Sequence, residues 1–407
     1  MILLQINSAV NTCSHGRIAE ETGSAARRAG FRSVIAYGRD GLPSQSEIIH
    51  IGSSFDVMGH VLKTRLLDLH GFGSGRATRE LLARIIALDP DIIHLHNIHG
   101  YYLHVGLLFR FLKSLDIPVV WTLHDCWPFT GHCAVFERVN CTRWKNLCTG
   151  CPLRHTYPES WWRDRSRRNF LEKRELFTGH PHLHIVTPSH WLDQLVRESF
   201  LGGYPVHLIR NGIDLEIFRP GDGLRAREKY GLAEERIILG VANTWKQRKA
   251  LDDFLRLAPL LKKGERMVLA GIGKESERVA AAGIMALPRM ESRGELADLY
   301  SAADVFVNPT YADNLPTTNI EALACGTPVV AYNTGGCAEI VDSLTGEVVD
   351  KGDIAALREA ISGVLDKGKH SWSPHCRRRA ESLFGKEMSS QNYIRLYRSI
   401  LDEGGVR

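Results

Sequence analysis

Short apolar runs alternate with helix-length amphipathic segments along the whole chain. Strands are predicted at Ile2–Ile6 and Ser33–Tyr37 around a helical stretch from Gly16 to Ala29, and at Asp91–His96 and Pro118–Leu123 around another from Tyr101 to Leu115. His184–Thr187 and Val206–Ile209 continue the series. Strand and helix in strict alternation predict an α/β architecture, with parallel sheets covered by helices on both faces.

The same grammar restarts after Arg210-Asn211-Gly212-Ile213-Asp214, where Asn-Gly and then Pro220 mark a connection without core pattern. Strands at Arg236–Val241, Arg266–Ala270, Asp304–Val307 and Pro328–Ala331 alternate with helices starting near Lys249, Ser292, Pro316 and Cys337. This divides the chain into a domain over 1–210, a second over 211–385, and a helix over 386–407 long enough to cross back onto the first. Two stretches break the pattern. Gly38–Gly59 reads as a polar, glycine-bearing loop, and 126–161 is an insert too long and too rich in Cys, Trp and Pro to be a simple connection.

At 407 residues the chain has room for two cores, and 44% hydrophobic with 24% charged residues excludes a disordered protein. A net charge of +5 fits a phosphate-bearing ligand or an anionic membrane surface. The first residues lack a basic segment followed by a long apolar one, and no apolar run reaches membrane-spanning length. The expectation is a cytoplasmic protein, soluble or peripheral on the inner face of the membrane. Its nine cysteines are then expected as reduced thiols or metal ligands.

In open parallel sheets ligands bind beyond the carboxyl ends of the strands. After Asp304–Val307 the chain reads Asn308 to Ala322, with Pro316 predicted at the first helical position. Amides at such a helix start suit a diphosphate, so Asn314, Leu315, Pro316 and Thr317 are candidate cradle residues. Asp313 and Glu321 would flank that anion, where their natural partners are sugar or ribose hydroxyls. The bland alternative is a capping loop with a solvated Asp and a surface Glu.

After Arg236–Val241, three cations, Lys246, Arg248 and Lys249, stand beside a helix start and suit the charge of a departing phosphate. After Pro118–Leu123, His124-Asp125 could do acid–base or hydrogen-bonding work, or be a structural donor. After Ile2–Ile6, Gly16 offers backbone approach. His94, His96 and His99 cluster at a strand end, where a core or acceptor-lining role is preferred to a metal site.

The insert carries Cys133-x7-Cys141-x6-Cys148-x2-Cys151, either a closed structural zinc site or a set of buried thiols. Beyond it, Trp161-Trp162 heads a basic segment, Arg163 to Arg168, that suits anionic headgroups or is simply a solvated face.

The run Asp313-x7-Glu321 with Ala322-Leu323-Ala324-Cys325-Gly326-Thr327-Pro328 resembles the Glu-x7-Glu motif of the GT-B glycosyltransferases of family 4, most closely the colanic acid and exopolysaccharide branch. The resemblance implies two Rossmann-like domains facing across a cleft. It implies retaining transfer of a hexosyl group from a nucleoside diphosphate sugar to a glycan or polyprenyl-diphosphate-linked acceptor, with no obligatory catalytic metal. By it Glu321 binds the nucleotide ribose, Asp313 touches the donor sugar, His124 sits at the catalytic centre, and Gly16 approaches the phosphate. Arg289 falls where family members hold the base. Lys249 matches the family lysine, but Asn243 stands where an arginine is expected, leaving Arg248 or Lys246 to replace it. Rival readings are a nucleotide-sugar epimerase of the same architecture and a zinc-stapled nucleic-acid-binding module. Nucleic acid is not expected as a partner, because no recognition fold accompanies the basic residues.

Overall fold

The first sheet is built from β1 (Ile2–Asn7), β2 (Arg32–Tyr37), β3 (Glu47–His50), β4 (Ile92–Leu95), β5 (Val119–Thr122), β6 (Leu183–Thr187) and β7 (Val206–Leu208). All pairs are parallel, in the order β3-β2-β1-β4-β5-β6-β7. The second contains β8 (Arg236–Val241), β9 (Glu265–Ala270), β10 (Met285–Leu287), β11 (Val305–Asn308), β12 (Val329–Tyr332) and β13 (Gly346–Val349), again parallel, in the order β10-β9-β8-β11-β12-β13. The computed structural model describes residues 1–232, 234–245 and 247–403. They fall into two units, Met1–Arg210 with Ser389–Arg407, and Asn211–Met388.

The central strands are apolar on both faces because helices cover both. Leu3, Leu4 and Ile6 of β1, and Ile237, Ile238 and Leu239 of β8, are wholly buried. In each sheet the winding reverses once, between β1 and β4 and between β8 and β11. Loops at such a switch point diverge to opposite faces and leave a crevice at the strands' carboxyl ends, which positions the candidate sites.

The helix Lys386–Glu403 contributes Tyr393, Tyr397 and Ile400 to a core with Leu3, Phe31, Ile92, Val120 and Val186 of the first unit. Its polar atoms are matched: Tyr397 OH is 2.6 Å from His94 Nδ1, His94 Nε2 is 2.8 Å from Thr122 Oγ1, and Thr122 Oγ1 is 3.0 Å from Tyr393 OH. His94 is therefore a core histidine.

Gly38–Gly59 is not one loop. It holds β3, an edge strand with Glu47, Ile48 and His50 exposed, and the start of the helix Ser54–Leu67, which is closed by a Ser53/Asp56 capping box. The helix expected over Tyr101–Leu115 is shorter, Val105–Leu112, because the His104 side chain caps it by accepting from Leu107 N, and Tyr101 has φ 74°. No helix among the described residues is long and apolar enough to cross a membrane.

Candidate functional site

In the second unit the two loops that flank the β8/β11 switch are stitched together. Tyr311 N donates to Arg248 O at 2.9 Å, Thr310 Oγ1 donates to the same carbonyl at 3.1 Å, and Arg248 reaches back to Ala312 O at 3.1 Å. This brings Lys249 Nζ to 2.7 Å from Asp313 Oδ2, with Arg248 3.7 Å from the same oxygen. Both partners of the close pair are mostly buried. Burial alone would raise the Asp313 carboxyl, but the Lys249 and Arg248 charges more than offset it and hold the group below its ordinary range.

The loop then enters the helix Thr317–Ala324, with Pro316 at the cap rather than at the first helical position, and no side chain capping its amides. Beside these amides, Thr318 Oγ1 and Asn319 Nδ2 are buried without a hydrogen-bond partner among the described residues. A buried polar group left unpaired is costly, so this helix start is built to meet a polar ligand. One turn on, Glu321 is 7% exposed, and its Oε2 accepts from Tyr300 OH at 3.1 Å. Two cations, helix-start amides without a side-chain cap and two carboxylates thus surround the switch point. That set can hold an anion and read hydroxyl groups next to it.

Other expected members have surroundings of their own. Leu315 is a core residue, 3% exposed, because its side chain anchors the loop to the sheet's apolar layer. Asn314 is turned by its carbonyl, which accepts from Gly336 N at 2.7 Å. Arg289 is exposed beyond the edge strand β10, which β9 separates from β8. Lys246 lies outside the described residues. Arg248, one of the two cations left open to replace the missing arginine, stands 3.7 Å from Asp313 Oδ2.

In the first unit the β1/β4 switch is lined by histidines. Asn7 Oδ1, at the end of β1, is 3.0 Å from His15 Nδ1 and accepts from Asn97 N at 3.3 Å. Gln5 donates its amide N–H to Ala19 O and presents Oε1 to His96 Nε2 at 2.9 Å. His96 Nε2 must then carry the proton, so its Nδ1 accepts from His124 Nε2 at 3.4 Å. Burial, and then the His96 and His15 rings, push the His124 pKa well below the usual range, and burial drops His15 to about 4. Both rings are neutral hydrogen-bonding groups at pH 7.

Asp125 is a positioning residue. Its Oδ2 is 2.8 Å from His99 Nε2, and its Oδ1 accepts from Trp127 N at 2.9 Å. Gly16 does not face the crevice from a loop; it lies inside the helix Cys13–Arg28, where a Cβ would stand 3.2 Å from Ala9 O. It lets the helix close on the loop, and the turn itself is made by Asn11 and Cys13 at φ 51° and 54°.

Cys133, Cys141, Cys148 and Cys151 line one cavity of the insert with Phe136 and Trp144, and all nine cysteines are free thiols. Among the described residues no group of three or more His, Cys, Asp or Glu is arranged to hold a metal ion. The Cys133 and Cys151 thiols interact, which with burial pushes Cys133 well up and draws Cys151 down to about 7, while burial lifts Cys148 to about 11. What ties the insert down is Lys173, buried and donating to Trp127 O and Thr130 O, and His132 on Asp68 at 2.6 Å.

A family model described as Glycosyltransferase Family 4 matches residues 15–217, and one described as Glycosyl transferases group 1 matches residues 235–367. The chain is a family 4 glycosyltransferase. It is 26% identical over 373 residues to the colanic acid biosynthesis glycosyl transferase WcaC of Escherichia coli (strain K12), covering 88% of this chain and 89% of that one. It is 35% identical over 181 residues to D-inositol 3-phosphate glycosyltransferase 2 of Catenulispora acidiphila, covering 40% of this chain and 42% of that one. The fold of this glycosyltransferase is GT-B. It matches sucrose-phosphate synthase from Thermosynechococcus elongatus with a TM-score of 0.74 at 18% identity over 99% of both chains. It matches Anabaena Alr3699/HepE, solved in complex with UDP-glucose, with a TM-score of 0.67 at 13% identity over 98% of this chain and 100% of that one.

Three residues of the glycosyltransferase's second-unit site escape sequence reading: Tyr300, which holds Glu321, and the buried Thr318 and Asn319. The first lies 21 positions from its partner, which no short motif reveals. The pair sits within the Asp313-x7-Glu321 spacing, and a run of polar residues at the start of an otherwise apolar helix was the available signal.

Proposed function

We propose that this glycosyltransferase moves a hexosyl group, with retention of anomeric configuration, from a nucleoside diphosphate sugar to a glycan or polyprenyl-diphosphate-linked acceptor in cell-surface polysaccharide biosynthesis. The carrying observation is the Lys249–Asp313 pair at 2.7 Å beside the buried polar atoms Thr318 Oγ1 and Asn319 Nδ2, which have no hydrogen-bond partner among the described residues. A diphosphate set against the Thr317–Ala324 helix start would take over the charge of Lys249, and Glu321 one turn on would accept from ribose hydroxyls. As the bond between the anomeric carbon and the leaving phosphate oxygen breaks, the electron pair stays with the nucleotide. Lys249, Arg248 and the helix amides stabilise that charge, so no general-acid carboxylate and no metal is needed for departure.

Neutral His124, oriented by His96, is proposed to hydrogen-bond sugar hydroxyls. The likeness to WcaC supports polysaccharide biosynthesis, and the UDP-glucose held by HepE supports a nucleoside diphosphate sugar as donor. The setting is the cytoplasm, with the enzyme peripheral on the inner face of the membrane. A thermal-shift screen of UDP, GDP, ADP and their sugars tests the donor class, since a ligand of the native state raises the melting point. No stabilisation by any nucleotide would overturn the reading. NMR of the anomeric proton of the product tests retention.

A further inference from the structure

The helix Ser54–Leu67 is built inside out. The residues it buries are polar: His60 Nε2 accepts from Gly71 N and Gly73 N at 3.1 Å each, its Nδ1 lies 3.0 Å from Ser74 Oγ, and Thr64 Oγ1 donates to His60 O. Its large exposed residues include Phe55 at 81%, Met58 at 62% and Leu62 at 53%. Spaced three and four apart, these three share one face. Large apolar groups aligned on solvent while histidine and threonine occupy the interior mark a face with a partner.

A second apolar pair adjoins the helix's end. Trp161 and Trp162 are 47% and 73% exposed, and Trp161 N donates to Arg65 O at 2.8 Å. Arg165 N donates to Asp68 Oδ2 just beyond the helix. The surrounding charge is one-sided. Residues 54–67 and 154–168 hold Lys63 and Arg65 with five further arginines, against Asp56, Glu159 and Asp164, with Glu172 pairing Arg168 at 2.7 Å.

We propose that this surface docks on an anionic lipid bilayer. Phe55, Met58 and Leu62 enter the boundary between headgroups and acyl chains, roughly 5–10 Å deep. Trp161 and Trp162 lie at headgroup level, and Lys63, Arg163, Arg167 and Arg168 meet lipid phosphates. A second copy of the chain does not fit the same face, because a two-fold contact would set one basic set against another. This rests on the peripheral placement in the proposed function and names the surface that makes it; none of these residues belongs to the sugar-handling machinery.

The test is co-sedimentation of the full chain with vesicles of phosphatidylcholine alone and with about a third phosphatidylglycerol. Binding to the anionic vesicles only, weakening as salt rises, is expected. The triple variant Phe55→Ser/Met58→Ser/Leu62→Ser should lose roughly tenfold or more of it. So should Lys63→Glu/Arg163→Glu/Arg167→Glu, while both keep the wild-type melting temperature and transfer to a water-soluble acceptor. Equal binding to both vesicle types, a triple variant that binds like the wild type, or a wild-type dimer that the triple variant dissolves would each overturn the proposal. Loss of transfer by Lys249→Ala reports on the transferase reading separately.

Discussion

Lys249 Nζ and Asp313 Oδ2 are 2.7 Å apart, though 64 positions separate the residues in sequence. Without ligand the cation is spent on the carboxylate; a bound diphosphate would share it. Lys249→Ala removes the charge that steadies the leaving group, and kcat is expected to fall about 100-fold to 1,000-fold. It also leaves Asp313 with Arg248 at 3.7 Å as its remaining charged neighbour in this pair of loops, at a cost of about 1–3 kcal/mol. Asp313→Asn separates the roles. It frees Lys249 for phosphate, so nucleotide affinity holds or rises while transfer falls. Calorimetric nucleotide titration beside steady-state kinetics checks both, and weaker nucleotide binding by Asp313→Asn would refute the shared-cation picture.

Glu321 is presented by Tyr300, whose hydroxyl donates to Oε2 at 3.1 Å. Removing the carboxylate removes the ribose contact itself, so Glu321→Ala should cut kcat/KM by about 100-fold or more. Tyr300→Phe leaves the carboxylate but not its orientation, and a loss of about threefold to tenfold, chiefly in donor KM, is expected. A Tyr300→Phe enzyme that lost kcat as severely as Glu321→Ala would show that the tyrosine is more than a positioning residue.

Strands were legible where both faces are covered, as in β1 and β8, because burial then writes an unbroken apolar run. β3 was not, since an exposed edge strand has no apolar requirement to write. The start of the helix Ser54–Leu67 fell in the predicted loop because its buried positions, His60 and Thr64, are polar and its large apolar residues Phe55 and Met58 are exposed, so no amphipathic pattern marks it. Asp313, Lys249, His124 and Glu321 could be picked out because loops after parallel strands are where ligands bind. Their contacts could not. Gly16 was drawn to the ligand by proximity in sequence, whereas it is committed to a close helix–loop approach, and the core burial of the Leu315 side chain was not legible either.

The first unit's histidines make stability depend on pH. Burial holds His94, His96 and His124 well below their usual range, with His15 and His180 at about 4 and His60 at about 3. In the unfolded chain the same groups titrate near 6.5, so below that pH the unfolded state takes up protons the folded state refuses. Stability is fully present above about 6.5 and is lost as pH falls toward 4. Scanning calorimetry from pH 8 to 5 should show the melting temperature turning down below 6.5, before the ordinary carboxylates titrate. A flat profile to pH 5 would mean these rings are solvated. For the same reason transfer should show no acid limb at 6.5 that His124→Ala abolishes.

Lys173 is wholly buried on the insert, its Nζ donating to Trp127 O at 2.7 Å and Thr130 O at 3.0 Å and lying 3.4 Å from the centre of the Trp127 ring. Lys173→Met keeps the volume and leaves two buried carbonyls short of a donor, a loss of about 2–4 kcal/mol. Burial lowers the amine to about 7, while in the unfolded chain it titrates near 10.4. Between these values the unfolded state holds the extra proton, so stability rises with pH across that window. A neutral amine still carries the two N–H groups the carbonyls need. The gap in melting temperature between wild type and Lys173→Met should therefore widen from pH 7 to pH 9, and a gap that narrowed would show that the charged ammonium, not the hydrogen bonds, holds the insert in place.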